Sequence, residues 1–249
     1  MTRLKAIVAY DGAAFHGFAE NPGVATVAGT LRTTLSRVLR HDVQVAGAGR
    51  TDAGVHAWGQ VVSFDADTDD PAALQRSINA LCAPSLVVRS LEAAGDGFHA
   101  RFSARWRRYR YTIVSGAVPN PFLAATAWYV PHDLDLDTLR LATDPFVGTH
   151  DFTSFCRRPR VDERDEPVSL VRRIIEARWE DLDDGVVRFD VRGESFCHNQ
   201  VRAMVGTLVE VGRGRLHAGD VLAILRARDR AKAGTVAPPH GLCLWEVGY

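Results

Sequence analysis

Lysine is almost missing from this 249-residue chain: Lys5 and Lys232 stand against 28 arginines. Basic and acidic residues balance at 30 each, so there is no net charge to draw the whole molecule onto a polyanion. Nucleic-acid binding would need a local segregation of charge. Arginine suits bidentate phosphate contacts and stacking, but on composition alone a compositional bias of the source is the favoured explanation of its excess. The four cysteines, Cys82, Cys156, Cys197 and Cys243, are far apart and form no CxxC pair. That argues against a disulfide framework or a zinc site and for reduced thiols. No apolar run is long enough to span a membrane, and MTRLKAIVAYDG passes straight into a strand pattern with no leader character. The expectation is a cytoplasmic protein with no membrane partner. There is no P-loop or GxGxxG after a strand, no GxSxG elbow and no HxE with PCxxC. His150-Asp151 and Cys197-His198 are sequence neighbours, which is poor ligand spacing. No metal and no cofactor are expected.

Hydrophobic residues make up 46% of the chain and charged ones 24%, an ordinary globular balance. Leu4 to Tyr10 is a short apolar run stopped by Asp11-Gly12 and reads as a buried strand. Thr26 caps a helix with apolar positions Val27, Leu31, Leu35, Val38 and Leu39. Strands follow at Val43 to Ala48 and Gly59 to Phe64. Asp70-Pro71 opens a second helix lined by Leu74, Ile78 and Leu81. Leu86 to Leu91 is a further strand. The order β-α-β-β-α-β is the split βαβ, or ferredoxin-like, arrangement.

The remainder reads the same way with insertions. Strands are expected at Tyr109 to Val114, Ala127 to Val130, Ser169 to Trp179, Val186 to Arg192 and Leu242 to Val247. Helices are expected at Asp135 to Thr143, along the stripe Val201, Met204, Val205, Leu208 and Val209, and at Asp220 to Arg228. The stretch Arg157 to Glu166 is dense in charge and reads as an exposed loop. The fold class is therefore α+β. Two ferredoxin-like subdomains are expected, residues 1–100 and 101–249, with open sheets side by side around a central cleft.

Three stretches carry chemistry. Gly47 to His56 sets Arg50, Asp52 and His56 among three glycines between two strands. A turn needs Gly and Asp but not the flanking cations. It reads either as a decorated hairpin loop or as a rigidly held carboxylate kept ionised by an adjacent arginine. The second stretch, Phe98 to Tyr111, interleaves Arg101, Arg105, Arg107, Arg108 and Arg110 with Phe98, Phe102, Trp106, Tyr109 and Tyr111. Guanidinium groups for phosphates and rings for unpaired bases suit RNA, as a half-buried strand with a solvated basic face also would. In the third, Glu194 to Arg202, a helix would project His198 and Arg202 from one side. Asp52 with His56 as the acid–base pair of a small-molecule hydrolase is a weaker alternative.

Together these residues resemble the TruA family of tRNA pseudouridine synthases. The matching stretches, in order, are Tyr10-Asp-Gly, the octet Gly49-Arg-Thr-Asp-Ala-Gly-Val-His56, Gly59-Gln-Val-Val, Phe98-His-Ala-Arg-Phe-Ser103, Arg108-Tyr-Arg-Tyr111, Asp151-Phe-Thr-Ser-Phe155, Val201-Arg202 and Ala237-Pro with Gly241-Leu. They span nearly the whole chain. The resemblance implies the pseudouridine synthase fold, a homodimer, and uridines in the anticodon stem-loop of tRNA as substrate. It implies Asp52 as the catalytic carboxylate, with Arg50 and Arg202 in support. Tyr109 would stack on the target uracil, while the five arginines and His56 would contact RNA. The chain departs from the family pattern at Phe18, Ala19, Ala28, Asn199 and Gln200. An inactive or retargeted RNA-binding paralogue of the same fold is the alternative.

Overall fold

A computed structural model describes residues 1–157 and 168–249. The expected loop at Arg157 to Glu166 lies, apart from the exposed Arg157, outside the described residues. The chain divides into two compact units, Met1–Arg107 with Cys243–Tyr249, and Arg108–Leu242.

The first unit contains β1 (Thr2–Tyr10), α1 (Val27–Leu39), β2 (Ala46–Gly47), β3 (His56–Ala66), α2 (Pro71–Cys82) and β4 (Leu86–Ala93). Its sheet runs β4-β1-β3, with β2 paired antiparallel to β3. Thr26 Oγ1 accepts the Gly29 N–H and starts α1; Asp70 accepts the Ala73 N–H and starts α2, with Pro71 in its first turn. Each cap satisfies a donor the helix itself cannot, typically worth ~1 kcal/mol. Leu31 and Leu35 of α1 and Leu74 and Ile78 of α2 are buried at the helical period, as are Leu4, Ala6 and Val8 of β1 at the strand period. Of the expected strand Val43 to Ala48 only Ala46 and Gly47 form β2, with the Ala48 N–H still donating to the Val61 carbonyl, while the Val43 N–H goes to the Ser36 hydroxyl.

The last strand, β10 (Leu242–Gly248), departs from the sequence expectation. It was expected to close the second half, but from Cys243 it belongs to the first unit. There it pairs parallel with β3, Cys243 opposite His56 and Leu244 opposite Ala57. The tyrosine that follows fixes it further, Tyr249 donating to the Ala100 carbonyl at 2.9 Å.

The unit boundary falls within β5 (Trp106–Ser115), whose residues from Arg108 onward open the second unit. That unit adds β6 (Trp128–Val130), α3 (Leu136–Thr143), β7 (Gly148–Asp151), β8 (Val171–Asp181), β9 (Val186–Gly193), α4 (Gln200–Gly212) and α5 (Asp220–Ala227). Its sheet order is β5-β9-β8-β7, with β6 parallel to β5. The short β7 has no apolar alternation and was not visible in the sequence. α4 is the central helix of this unit: ten of its thirteen residues are buried. A side chain at Gly206 would overlap the Thr235 carbonyl, so only glycine lets that backbone approach.

Cys156 and Cys197 are joined by a disulfide, with Cα atoms 5.8 Å apart. This corrects the expectation of reduced thiols throughout. The two cysteines are 41 positions apart, and tertiary folding rather than a local motif brings them together. No described helix is long and apolar enough to cross a membrane.

Candidate active site

The octet forms a turn between β2 and β3 whose shape is fixed from several sides. Tyr10 and Thr51 share a buried hydrogen bond of 2.8 Å between their hydroxyls. The Gln60 side-chain amide donates to the Gly49 carbonyl at 2.6 Å and to the Tyr10 oxygen at 3.4 Å, and its own oxygen accepts the Gly49 N–H. Gln60 is fully buried, so each of these bonds replaces a water that cannot reach it. Burial pushes the Tyr10 hydroxyl up to about 12, against the opposing effect of its hydrogen bonds with Thr51 and Gln60. Tyr10 therefore stays a neutral hydroxyl.

Backbone contacts complete the brace. The Phe18 N–H donates to the Thr51 carbonyl, and the Val55 N–H closes the turn on the Asp52 carbonyl. Gly54 adopts φ 77° at the tip. Gly12 packs so closely on the Val55 carbonyl that a Cβ would overlap it. His56 is buried, and its Nδ1 accepts the Gly12 N–H at 3.1 Å beside the Asp11 carboxylate at 3.2 Å. Asp52 itself remains partly exposed at the centre of this frame, and Arg50 is exposed. Phe18, one of the departures from the family pattern, is buried with its ring against Gly47.

The arginines of the second stretch have several fates. Arg107 turns back onto backbone carbonyls, reaching Ala48 at 2.8 Å and Arg101 at 2.9 Å. Arg108 and Arg110 meet carboxylates of the second unit. Arg108 lies 2.6 Å from Glu176 and 3.4 Å from Asp190, while Arg110 lies 3.0 Å from Asp190. Arg192 also reaches Glu176, at 3.0 Å. Asp190 is fully buried, and a buried carboxylate needs such cations. These arginines form an internal ladder across the sheet. Arg101 and Arg105 are exposed.

Arg101 and Phe102 stand on an anchored turn. Ala100 is fully buried and donates to Ser63 Oγ, and His99 Nδ1 accepts the Arg101 N–H. On that base Phe102 is 76% exposed, with the Arg101 guanidinium 5.6 Å from its ring centre. An exposed ring beside an exposed cation is the surface an unpaired base and its phosphate would match.

In the second unit Tyr109 lies on β5, buried, edge-on to Phe196 with centroids 5.1 Å apart. Tyr111 is buried and donates to the Pro238 carbonyl. Arg202, on the first turn of α4, donates to the Ala237 carbonyl at 2.8 Å and to Asn199 Oδ1 at 3.1 Å. Asn199 has φ 65° at the entry of that helix. Sequence reasoning missed Tyr10, Thr51 and Gln60 as supports of the turn. All three lie within or beside quoted motifs, but only the fold brings their polar atoms together.

A braced carboxylate turn and, further along the chain, a stretch of interleaved arginines and aromatics are features an enzyme acting on RNA would use. The family model described as tRNA pseudouridine synthase matches residues 6–103 and 142–249. The chain is 41% identical to tRNA pseudouridine synthase A of an Exiguobacterium species, over 100% of this chain and 98% of that protein. It is 40% identical to the Bacillus licheniformis protein of that name over 99% of each chain. With the Brevibacillus brevis one it shares 42% over the full length of both. The chain belongs to the tRNA pseudouridine synthase family. It is an isomerase that converts uridine in tRNA to pseudouridine.

Proposed function

We propose that this enzyme acts on uridines of the tRNA anticodon stem-loop, as a cytoplasmic homodimer, with Asp52 as the reacting carboxylate. The observation that carries the reading is the Asp52 turn, held at Thr51 and Gly49 by Tyr10 and Gln60, with Asp52 itself partly exposed. The reaction breaks the N1–C1′ bond, turns the uracil and forms a C5–C1′ bond. No atoms are lost from the nucleotide skeleton. Extruding the base costs a few kcal/mol, and less in a loop than in a duplex. Tyr109 takes over the lost stacking, a contact worth ~1–3 kcal/mol per base. Arg202 serves as the cation for Asp52, and Arg50 supports the turn. Arg101 with Phe102, and Arg105, are assigned to RNA contact.

Asp52 has three routes open to it: attack on C1′, addition to C6 of the uracil, or removal of a ribose proton to give a glycal. Each needs an ionised carboxylate beside the sugar. A glycosidase-like course would need a second carboxyl as acid, and the octet has none. Asp52→Asn is expected to bind tRNA as the wild type does and to form no pseudouridine. Tritium release from tRNA labelled at uridine C5, in a single-turnover format, reads this directly, and wild-type turnover by the variant would remove Asp52 from the chemistry. Tyr109→Phe keeps the ring. Slowed release by it would assign the hydroxyl to proton transfer at C5, and an unchanged rate would limit Tyr109 to stacking.

A further inference from the structure

We propose that Cys156 and Cys197 are a reversible oxidation site, a dithiol–disulfide couple that sets the entry into α4. Their Cα separation of 5.8 Å lies within the span a disulfide bridges. Cys156 is 1% exposed, whereas Cys197 is partly exposed, so solvent reaches the pair from the Cys197 side. Cys82 and Cys243 take no part in this disulfide.

Both oxidation states are accommodated. Gln200 Oε1 accepts the Cys197 N–H at 2.9 Å and lies 3.3 Å from Cys197 Sγ. A thiol at residue 197 therefore finds an acceptor already in place, and in the disulfide the same oxygen keeps the Cys197 N–H. The same junction has a second tie, the Arg157 N–H donating to the His198 carbonyl at 2.9 Å. From there the chain passes through the left-handed Asn199 into α4, and Asn199 Oδ1 holds Arg202. The bond at residue 197 thus restrains the backbone that presents Arg202. Two of the departures from the family pattern, Asn199 and Gln200, sit in this junction and take part in its hydrogen bonding.

The oxidant is a low-molecular-weight disulfide, RSSR. The Cys197 thiolate attacks one of its sulfurs and releases the first RS⁻. The Cys156 thiolate then attacks Cys197 Sγ in the mixed disulfide and expels the second. The two cysteines together lose two protons and two electrons, and RSSR leaves as two RSH. In the oxidised form the 197–203 segment opens less often, while in the reduced form the remaining ties hold it more loosely. The effect on turnover rests on the placement of Arg202 in the active site proposed above, but the oxidation itself does not.

The test uses the full chain equilibrated with graded ratios of reduced and oxidised glutathione. Free thiols are alkylated and mapped by mass spectrometry, amide hydrogen exchange is followed across residues 197–203, and turnover is measured on a tRNA transcript. Cys156 and Cys197 are expected to lose alkylation together through one linked peptide pair, with Cys82 and Cys243 alkylated throughout under denaturing conditions. Exchange at the Gln200 and Ala203 amides should slow about tenfold on oxidation, since exchange follows local opening. Turnover should change at the same midpoint. Cys156→Ser and Cys197→Ser, each checked for folding by circular dichroism, should abolish all three responses. Independent alkylation of the two cysteines, glutathione adducts without the linked pair, or exchange indifferent to oxidation would overturn the proposal. If linkage and exchange respond and turnover does not, the oxidation site stands and the Arg202 assignment falls.

Discussion

Tyr10→Phe isolates the brace under Asp52 with the loss of a single oxygen. The ring stays in place, edge-on to Phe15 with centroids 6.2 Å apart. The 2.8 Å bond to Thr51 and the weaker one from Gln60 disappear. Leaving buried polar groups short of a partner costs ~1–3 kcal/mol. For a chain of this length that lowers Tm by roughly 2–12 °C, at about 2–4 °C per kcal/mol. The effect on chemistry is separate from that on stability. Thr51 precedes Asp52, and a displacement of about 1 Å at a reacting group costs on the order of 10²-fold in rate. The expected result is a fall of roughly 10- to 100-fold in kcat with the KM for tRNA unchanged. Thr51→Ser should keep most of the activity and Thr51→Val should not.

The stability gap between wild type and Tyr10→Phe also carries a pH signature. Burial raises the Tyr10 hydroxyl to about 12 from an ordinary 10.0, so the folded chain holds this proton more tightly than the unfolded chain. The stabilisation is complete below about pH 10 and is lost as the pH climbs towards 12, by about 2–3 kcal/mol in all. Tyr111 and Tyr249 are also pushed up by burial. Both proteins share them, so the difference between the two melts at each pH reports Tyr10 alone. The gap should be constant from pH 7 to 9 and close above pH 10. A variant that melts with the wild type at pH 8, turns over tRNA at the wild-type rate and shows a pH-independent gap would refute the brace.

Gly12→Ala forces a Cβ onto the Val55 carbonyl and should destabilise the first unit by ~1–3 kcal/mol, read by thermal melts, with activity falling further than stability accounts for. Asp190→Ala leaves Arg108 and Arg110 without the buried carboxylate they share and should cost ~3–5 kcal/mol in denaturant unfolding. The double change Asp190→Leu with Arg110→Met should recover much of that loss. Phe102→Ala, on an exposed ring, should leave Tm unchanged while raising the Kd for tRNA severalfold, whereas Arg101→Ala should also flatten the salt dependence of binding.

What the sequence revealed and what it hid divide by range. The caps at Thr26 and Asp70, the apolar stripes of α1 and α2 and the short apolar run of β1 are written in residues within a few positions of one another. They were legible for that reason. The alternation of β5 also put Arg108 and Arg110 on one face, but not what that face meets. Their partners Glu176 and Asp190 lie on β8 and β9, and only the sheet brings them opposite. The Cys156–Cys197 link and the seat of β10 beside β3 were hidden by the same long separation. His56 stood out as an octet cation, and its burial against the Gly12 N–H depends on β1 ending where it does. The octet itself was legible because a turn has no need of an arginine and a histidine. Its rigidity was not, since the polar atoms that supply it come from Tyr10 and Gln60 on two different strands.

The strand that pairs with β3 reaches the first unit only after the whole of the second has been threaded between Arg107 and Cys243. A ribosome releasing this chain from its amino end therefore exposes an unfinished sheet edge, with the His56 end of β3 unpaired on that side, for as long as it takes to make every residue in between. The inserted unit is free to settle first. An amino-terminal fragment stopping at Arg107 should accordingly be prone to self-association through that edge, and a synthetic peptide spanning Cys243 to Tyr249 should suppress it.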